Sequence, residues 1–148
     1  MSLETEIMAR MKDAMKAKDE VALRGLRAIK AALLLLKTSG TENITEEDEM
    51  KMLQKLVKQR QDSLDIFKQQ NRADLAQKEE EEIRIIEQFL PKQLNEDEIK
   101  VVLKEIITEL GAKDIKDLGK VMGAATKKLA GQADGKVISA LAKEMLSA

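Results

Sequence analysis

Residues 45–94 read TEEDEMKMLQKLVKQRQDSLDIFKQQNRADLAQKEEEEIRIIEQFLPKQL, and this stretch decides the fold. Thr45 with Asp48 three positions on has the spacing of a capping box, and Glu46 and Glu47 sit where a helix dipole favours acids. Met50, Leu53, Val57, Leu64 and Phe67 then recur at helical spacing. That predicts a helix to about Gln70, about 36 Å long at 1.5 Å per residue. Asn71 is expected to cap a fourth helix, with Asp74 three positions on and Leu75, Ile83, Ile86 and Leu90 along its apolar face. Two long helices joined by a turn at Asn71 read as an antiparallel hairpin. Pro91 ends it, because proline cannot extend the hydrogen-bond ladder and moves Leu90 away from helical angles. Pro91-Lys92-Gln93-Leu94 is therefore the expected boundary between an N-terminal four-helix region, residues 1–94, and a C-terminal domain, residues 95–148.

Outward from this hairpin the starts and stops remain legible. Ser2 caps a first helix with Leu3, Ile7, Met11, Ala14 and Met15 on one stripe. Asp19 opens a second, with Ala22, Leu26, Ile29, Leu33 and Leu36 inward, fading at Ser39-Gly40. Within it, Ala31 to Leu36 is apolar all round, so it is either enclosed by neighbours or a docking patch; burial is the expectation. Toward the C-terminus, Asn95 and Glu98 form a second box over a stripe of Ile99, Val102, Leu103, Ile106 and Leu110, closed by Gly111. A sixth helix is expected from about Asp114 to Ala130, ended by Gly131. Asp134 opens a seventh, with Val137, Ile138, Leu141 and Met145 inside. The expected fold is all-α, a long hairpin region followed by a compact three-helix C-terminal bundle.

Composition agrees. Leu, Ala, Glu, Lys, Met and Gln dominate, all strong helix formers, and no alternating apolar–polar run suggests a strand. The chain has no cysteine and no histidine. That excludes thiolate nucleophiles, Ser–His–Asp triads and nearly every zinc, copper or haem site, so no metal and no cofactor is expected. Residues 1–6 lack the charge and apolar stretch of a signal peptide. The longest apolar run, Ala31 to Leu36, falls far short of the roughly 18 residues a membrane span needs. A cytoplasmic protein without membrane contact is expected. The net charge of −1 is low for a nucleic-acid binder, so any such contact must come from a local patch.

Most candidate chemistry dissolves on inspection. The acidic run Glu79 to Glu82 places consecutive residues in different directions on a helix, so it cannot converge on one ion and reads as a solvated face with Lys78 and Arg84. Ser63 beside Asp62 has no base to activate it. The methionines fall on the apolar stripes and read as core filling.

The sixth helix is different. Ile115, Leu118, Met122, Ala125 and Leu129 form its apolar stripe; Lys116, Lys120 and Lys127 form a second stripe roughly 150° away, counting 100° per residue. Gly119 and Gly123 flank the lysines, and Lys128 lies further round. Residues 113–136 hold six lysines against three aspartates, a local balance of +3, and five of the seven glycines lie between Gly111 and Gly135. Glycines beside lysines let a phosphate backbone approach a helix closely. They equally permit tight helix–helix packing, and spacing alone favours packing. With Phe67 and Phe89 as the only aromatics, no base-stacking platform is expected, and recognition of single-stranded sequence is not expected either; backbone and shape reading of a folded RNA stays open.

At this point the chain resembles a known family. The segments Lys58-Gln59-Arg60-Gln61-Asp62-Ser63-Leu64, Phe67, Asn71-Arg72, Asp74-Leu75 and Leu90-Pro91-Lys92-Gln93-Leu94 are similar to the middle of the GatB/YqeY family. Gly119-Lys120-Val121-Met122-Gly123, then Gly131, Ala133-Asp134-Gly135, Val137 and Leu141, resemble its C-terminal signature. One departure is Gln132, where a lysine is expected, which removes one positive charge from the patch. Related domains form the C-terminal tail of the GatB subunit in the tRNA-dependent amidotransferase, or are appended to glutaminyl-tRNA synthetases. There they help hold tRNA, while glutamine-dependent amide transfer, a carbon–nitrogen ligase reaction, belongs to other domains. The resemblance thus implies a tRNA-binding accessory module presenting Lys116, Gly119, Lys120, Gly123, Lys127, Lys128, Gly131, Gly135 and Lys136, with no catalytic residues of its own. A protein-interaction module that docks on an aminoacyl-tRNA synthetase or amidotransferase, through the hairpin or the Ala31–Leu36 patch, is the alternative. An amidotransferase activity inherited with the family name would need a glutamine site, and the sequence offers none. Oligomeric state is left open.

Overall fold

The computed structural model describes residues 2–40 and 43–147. Among these the chain is all-helical and divides into two compact units, Met1–Leu90 and Pro91–Ala148.

The first unit holds α1 (Leu3–Ala17), α2 (Glu20–Thr38), α3 (Glu46–Gln69) and α4 (Ala73–Glu87). Side-chain oxygens start three of them: Ser2 accepts from the Thr5 N–H, Asp19 from Ala22 and Thr45 from Asp48. Thr45 and Asp48 complete the reciprocal box, the Thr45 N–H donating to the Asp48 carboxylate at 3.0 Å. Asn71 does not cap α4 as its spacing suggests. It adopts a left-handed conformation (φ 56°) that turns the chain, and Arg72 precedes the helix without a side-chain cap. Asparagine tolerates this conformation better than most residues, and here that property outweighs its capping role.

Ile7, Leu26, Ile29, Leu53 and Ile86 are essentially inaccessible and form the centre of this unit. A second cluster of Leu64, Ala76 and Ile83, with Val57 and Phe67 against it, fills the far end of α3 and α4. Ion pairs run along the seam: Arg60 meets Glu82 at 3.7 Å and Lys68 meets Glu80 at 3.5 Å. Arg24 of α2 pairs with Glu81. The run Glu79 to Glu82 is therefore not a solvated face. Its residues are half-buried, and three of the four reach cations on neighbouring helices. Arg10 of α1 lies 4.8 Å over the Phe89 ring and donates to Gln88.

The Ala31–Leu36 block departs from expectation. Leu33 is buried, but Leu34 and Leu35 are 62% and 71% exposed. An apolar run on one helix presents every direction, and α2 has neighbours on only part of its circumference.

The second unit holds α5 (Glu96–Leu110), a 3-10 turn (Ile115–Asp117), α6 (Leu118–Lys128) and α7 (Gly135–Ser147). Asn95 and Glu98 form a complete capping box, and Gly111 closes α5 in the left-handed region at φ 64°. Leu103, Val121, Ala125 and Ala142 are fully buried, with Ile99, Ile106, Leu129 and Ile138 around them. The sixth helix is shorter than its sequence suggests, because the Asp114 side chain takes the Lys116 N–H and tightens residues 115–117 into the 3-10 turn. Ile115, in that turn, is 47% exposed, and Val121, at helical spacing between Leu118 and Ala125, is fully buried.

The segment Pro91 to Leu94 lies against this unit. The Leu94 N–H donates to the Gln132 carbonyl (2.9 Å), the Gln93 amide to the Gly131 carbonyl (2.6 Å), and the Gln132 amide to the Lys92 carbonyl (3.3 Å). Among the described residues no helix is long and apolar enough to cross a membrane.

Candidate functional site

The core face of α6 is set by Leu118, Val121, Met122, Ala125 and Leu129. The opposite face follows from helical geometry: at 100° per residue, Gly119, Gly123, Lys127 and Lys120 fall within one sector of about 100°, and Lys116 on the preceding turn extends it. All five are exposed. A Cβ built on Gly119 or on Gly123 meets nothing within 4 Å. The helix-packing reading of these glycines is therefore overturned: they face open space.

The charges on this face are available. Lys116, Lys120 and Lys127 make no ion pair among the described residues. The aspartates nearby accept backbone N–H groups. Asp114 accepts from the Lys116 N–H at 2.9 Å, Asp117 from the Lys113 N–H at 2.9 Å and Asp134 from the Lys136 N–H at 3.1 Å. The backbone N–H groups of Lys113 and Asp114 hold the Asp117 carboxyl below the ordinary carboxylate range, and the charges of Lys120 and Lys113 add to this. Each aspartate thus fixes a turn that positions a lysine.

The remaining residues expected at the site do not all join it. Lys128 points round the helix toward α5, where it meets Glu105 at 3.6 Å. Gly131 is buried; at φ 76° it turns the chain out of α6, and its carbonyl accepts from Gln93. Gly135 and Lys136 are exposed at the start of α7, where the Asp134 carboxylate already takes a free N–H of that terminus. Gln132, the departure from the expected lysine, uses both its carbonyl and its amide on the Lys92–Leu94 segment. The clustered face is therefore Lys116, Gly119, Lys120, Gly123 and Lys127.

The Ser63 hydroxyl donates to the Gln59 carbonyl at 3.2 Å, a bond within its own helix. Among the described residues no three carboxylates converge on a point where a metal ion would sit.

The chain is similar to known proteins. Residues 4–146 match the family model described as Yqey-like protein. The chain is 29% identical over 91 residues, 62% of its length and 74% of the relative's, to an uncharacterized protein of Schizosaccharomyces pombe. It is 26% identical to altered inheritance of mitochondria protein 41, mitochondrial, of Pyrenophora tritici-repentis, over 96% of this chain and 80% of that one. To the protein of the same name in Clavispora lusitaniae it is 35% identical, over 70% of this chain and 62% of that one. With the match spanning both helical units, and the lysine–glycine face inside it, the chain belongs to the Yqey-like protein family.

Proposed function

We propose that this protein is a tRNA-binding accessory module, with the exposed face of α6 contacting the phosphate backbone and no amide transfer carried out by the chain itself. One observation carries the reading: Gly119 and Gly123 open onto solvent beside three unpaired lysines. A glycine inside a helix costs about 0.5–1 kcal/mol relative to alanine. Nothing within the fold requires that cost at Gly123. A phosphate backbone drawn in by Lys116, Lys120 and Lys127 supplies a reason, since it approaches closest where no Cβ stands. The resemblance to the tail of the amidotransferase GatB subunit supports the choice of tRNA as the folded RNA, and the lack of a base-stacking platform supports shape over sequence. The reading places the protein in the cytoplasm, although two of its fungal relatives carry mitochondrial in their names.

The test is fluorescence anisotropy with labelled total tRNA at about 50 and 200 mM salt. Three phosphate contacts, each contributing a salt slope of about −0.7 to −0.9, weaken binding about twenty- to forty-fold between those concentrations. Replacing Lys116, Lys120 and Lys127 together with glutamate abolishes the binding while leaving the helical circular dichroism unchanged. Salt-independent affinity, or full affinity in the triple variant, refutes the proposed face. Release of ammonia from glutamine by the pure protein refutes the non-catalytic part.

A further inference from the structure

Of the exposed leucines of α2, Leu35 borders a groove of about 460 Å³ between the C-terminal half of α2 and the N-terminal half of α3. Its floor is apolar: Ala32, Leu35 and Leu36 from α2, Met52 and Leu56 from α3. Both sets follow helical spacing, so two helix faces line the trough. On α3 the lining runs from Asp48 to Gln59, three turns or about 16 Å. This is the form that accepts an amphipathic helix carrying apolar anchors at i, i+3, i+4 and i+7.

The rim is positively charged. Lys51 and Lys55 stand on the α3 side. Lys51 meets Glu47 at 3.2 Å, but both side chains are about two-thirds exposed, and such a pair holds its lysine weakly. Lys55 has no ion pair among the described residues. The one carboxylate on the lining, Asp48, is engaged in the capping box with Thr45. A two-fold contact with a second copy brings the same patch from both subunits together, so it adds no net negative charge to meet Lys51 and Lys55.

We propose that this groove docks an acidic amphipathic helix supplied by a protein partner, its apolar face on Leu35, Leu36, Met52 and Leu56 and its carboxylates against Lys51 and Lys55. The site is built from α2 and α3, which hold no residue assigned to RNA, so the two proposals stand or fall separately.

The probe is a fluorescein-labelled synthetic helix of about fifteen residues with leucines at i, i+3, i+4 and i+7, glutamates beside them, and a twin in which lysines replace the glutamates. The full-length protein binds the acidic peptide at least about ten-fold more tightly than the basic one, a difference of about 1.4 kcal/mol. L35E removes the binding; because Leu35 is 71% exposed, this variant keeps its fold, as circular dichroism verifies. K51E combined with K55E reverses the preference between the two peptides. Equal affinity for both peptides, no binding of the acidic one at millimolar concentration, or undiminished binding to L35E overturns the proposal. A concentration-dependent dimer that L35E dissolves also overturns it, in favour of self-association.

Discussion

The Cβ that Gly25 lacks would lie 2.6 Å from the Cβ of Ile85, so α2 and α4 approach each other at a point where only glycine fits. The obstructing atoms are the branched root of Ile85 and cannot swing aside. Gly25→Ala forces the helices apart and destabilises the first unit by about 1–3 kcal/mol, as overpacked cores do. A urea midpoint unchanged by the substitution contradicts the close approach.

Gly123 is the opposite case. Its Cβ would meet open space, so Gly123→Ala raises stability by about 0.5–1 kcal/mol. Under the proposed RNA-binding role the same methyl group stands between the helix and an approaching phosphate, and tRNA affinity falls. Thermal denaturation and anisotropy on one variant check both directions; stability and affinity rising together separates the glycine from RNA contact.

Lys120 and Lys128 belong to one helix but to different surfaces. If α6 is the proposed RNA face, Lys120→Ala reduces the salt dependence of tRNA binding by a slope of about one, the effect of a lost phosphate contact. Lys128→Ala leaves it unchanged, since Lys128 is turned toward Glu105. The comparison is made by titrating both variants across the same salt series.

The two capping boxes serve separate units. Thr45→Ala and Asn95→Ala each cost about 1 kcal/mol, because each leaves a helix-terminal N–H without its acceptor. Hydrogen exchange localises the first loss to residues near α3 and the second to residues near α5.

Acid weakens the fold through the same caps. Backbone N–H donors hold Asp48, Glu98 and Asp117 below the ordinary carboxylate range. Such groups bind protons less tightly when folded, so their contribution is complete above the unfolded carboxylate pKa of about 4 and is lost as the pH falls through the lower folded values. Glu87 behaves oppositely: burial raises its pKa, so its charge opposes folding at neutral pH and Glu87→Gln is stabilising there. Urea midpoints at pH 7 and pH 3 for wild type, Asp117→Asn and Glu87→Gln measure both effects; the Asp117→Asn variant loses less on acidification.

Helix boundaries were legible where a side chain marks them. Ser2, Asp19, Thr45 and Asn95 cap the helices their spacing announces, and Gly111 ends α5. Asn71 misled because asparagine is suited both to capping and to the left-handed turn, and only the tertiary path selects between them. Gly25 gave no signal at all, since a close approach requires a partner 60 residues away, Ile85. The lysine–glycine face of α6 was legible as a stripe, but its exposure was not: periodicity tells which residues share a side, not whether anything packs there. Gly131 and Lys128 fell away for the same reason, one turned inward and the other drawn to α5.

The Lys92–Leu94 strap gives the second unit a property of its own. Its hydrogen bonds to Gly131 and Gln132 close within Pro91–Ala148, so the peptide that leads into α5 is part of that unit's wall. A gene fusion joined ahead of Pro91 carries the whole set of bonds along, whereas one joined at Asn95 leaves the Gly131 and Gln132 carbonyls without their donors. The strap puts the seam of this helical unit before the proline, not at the helix that follows it.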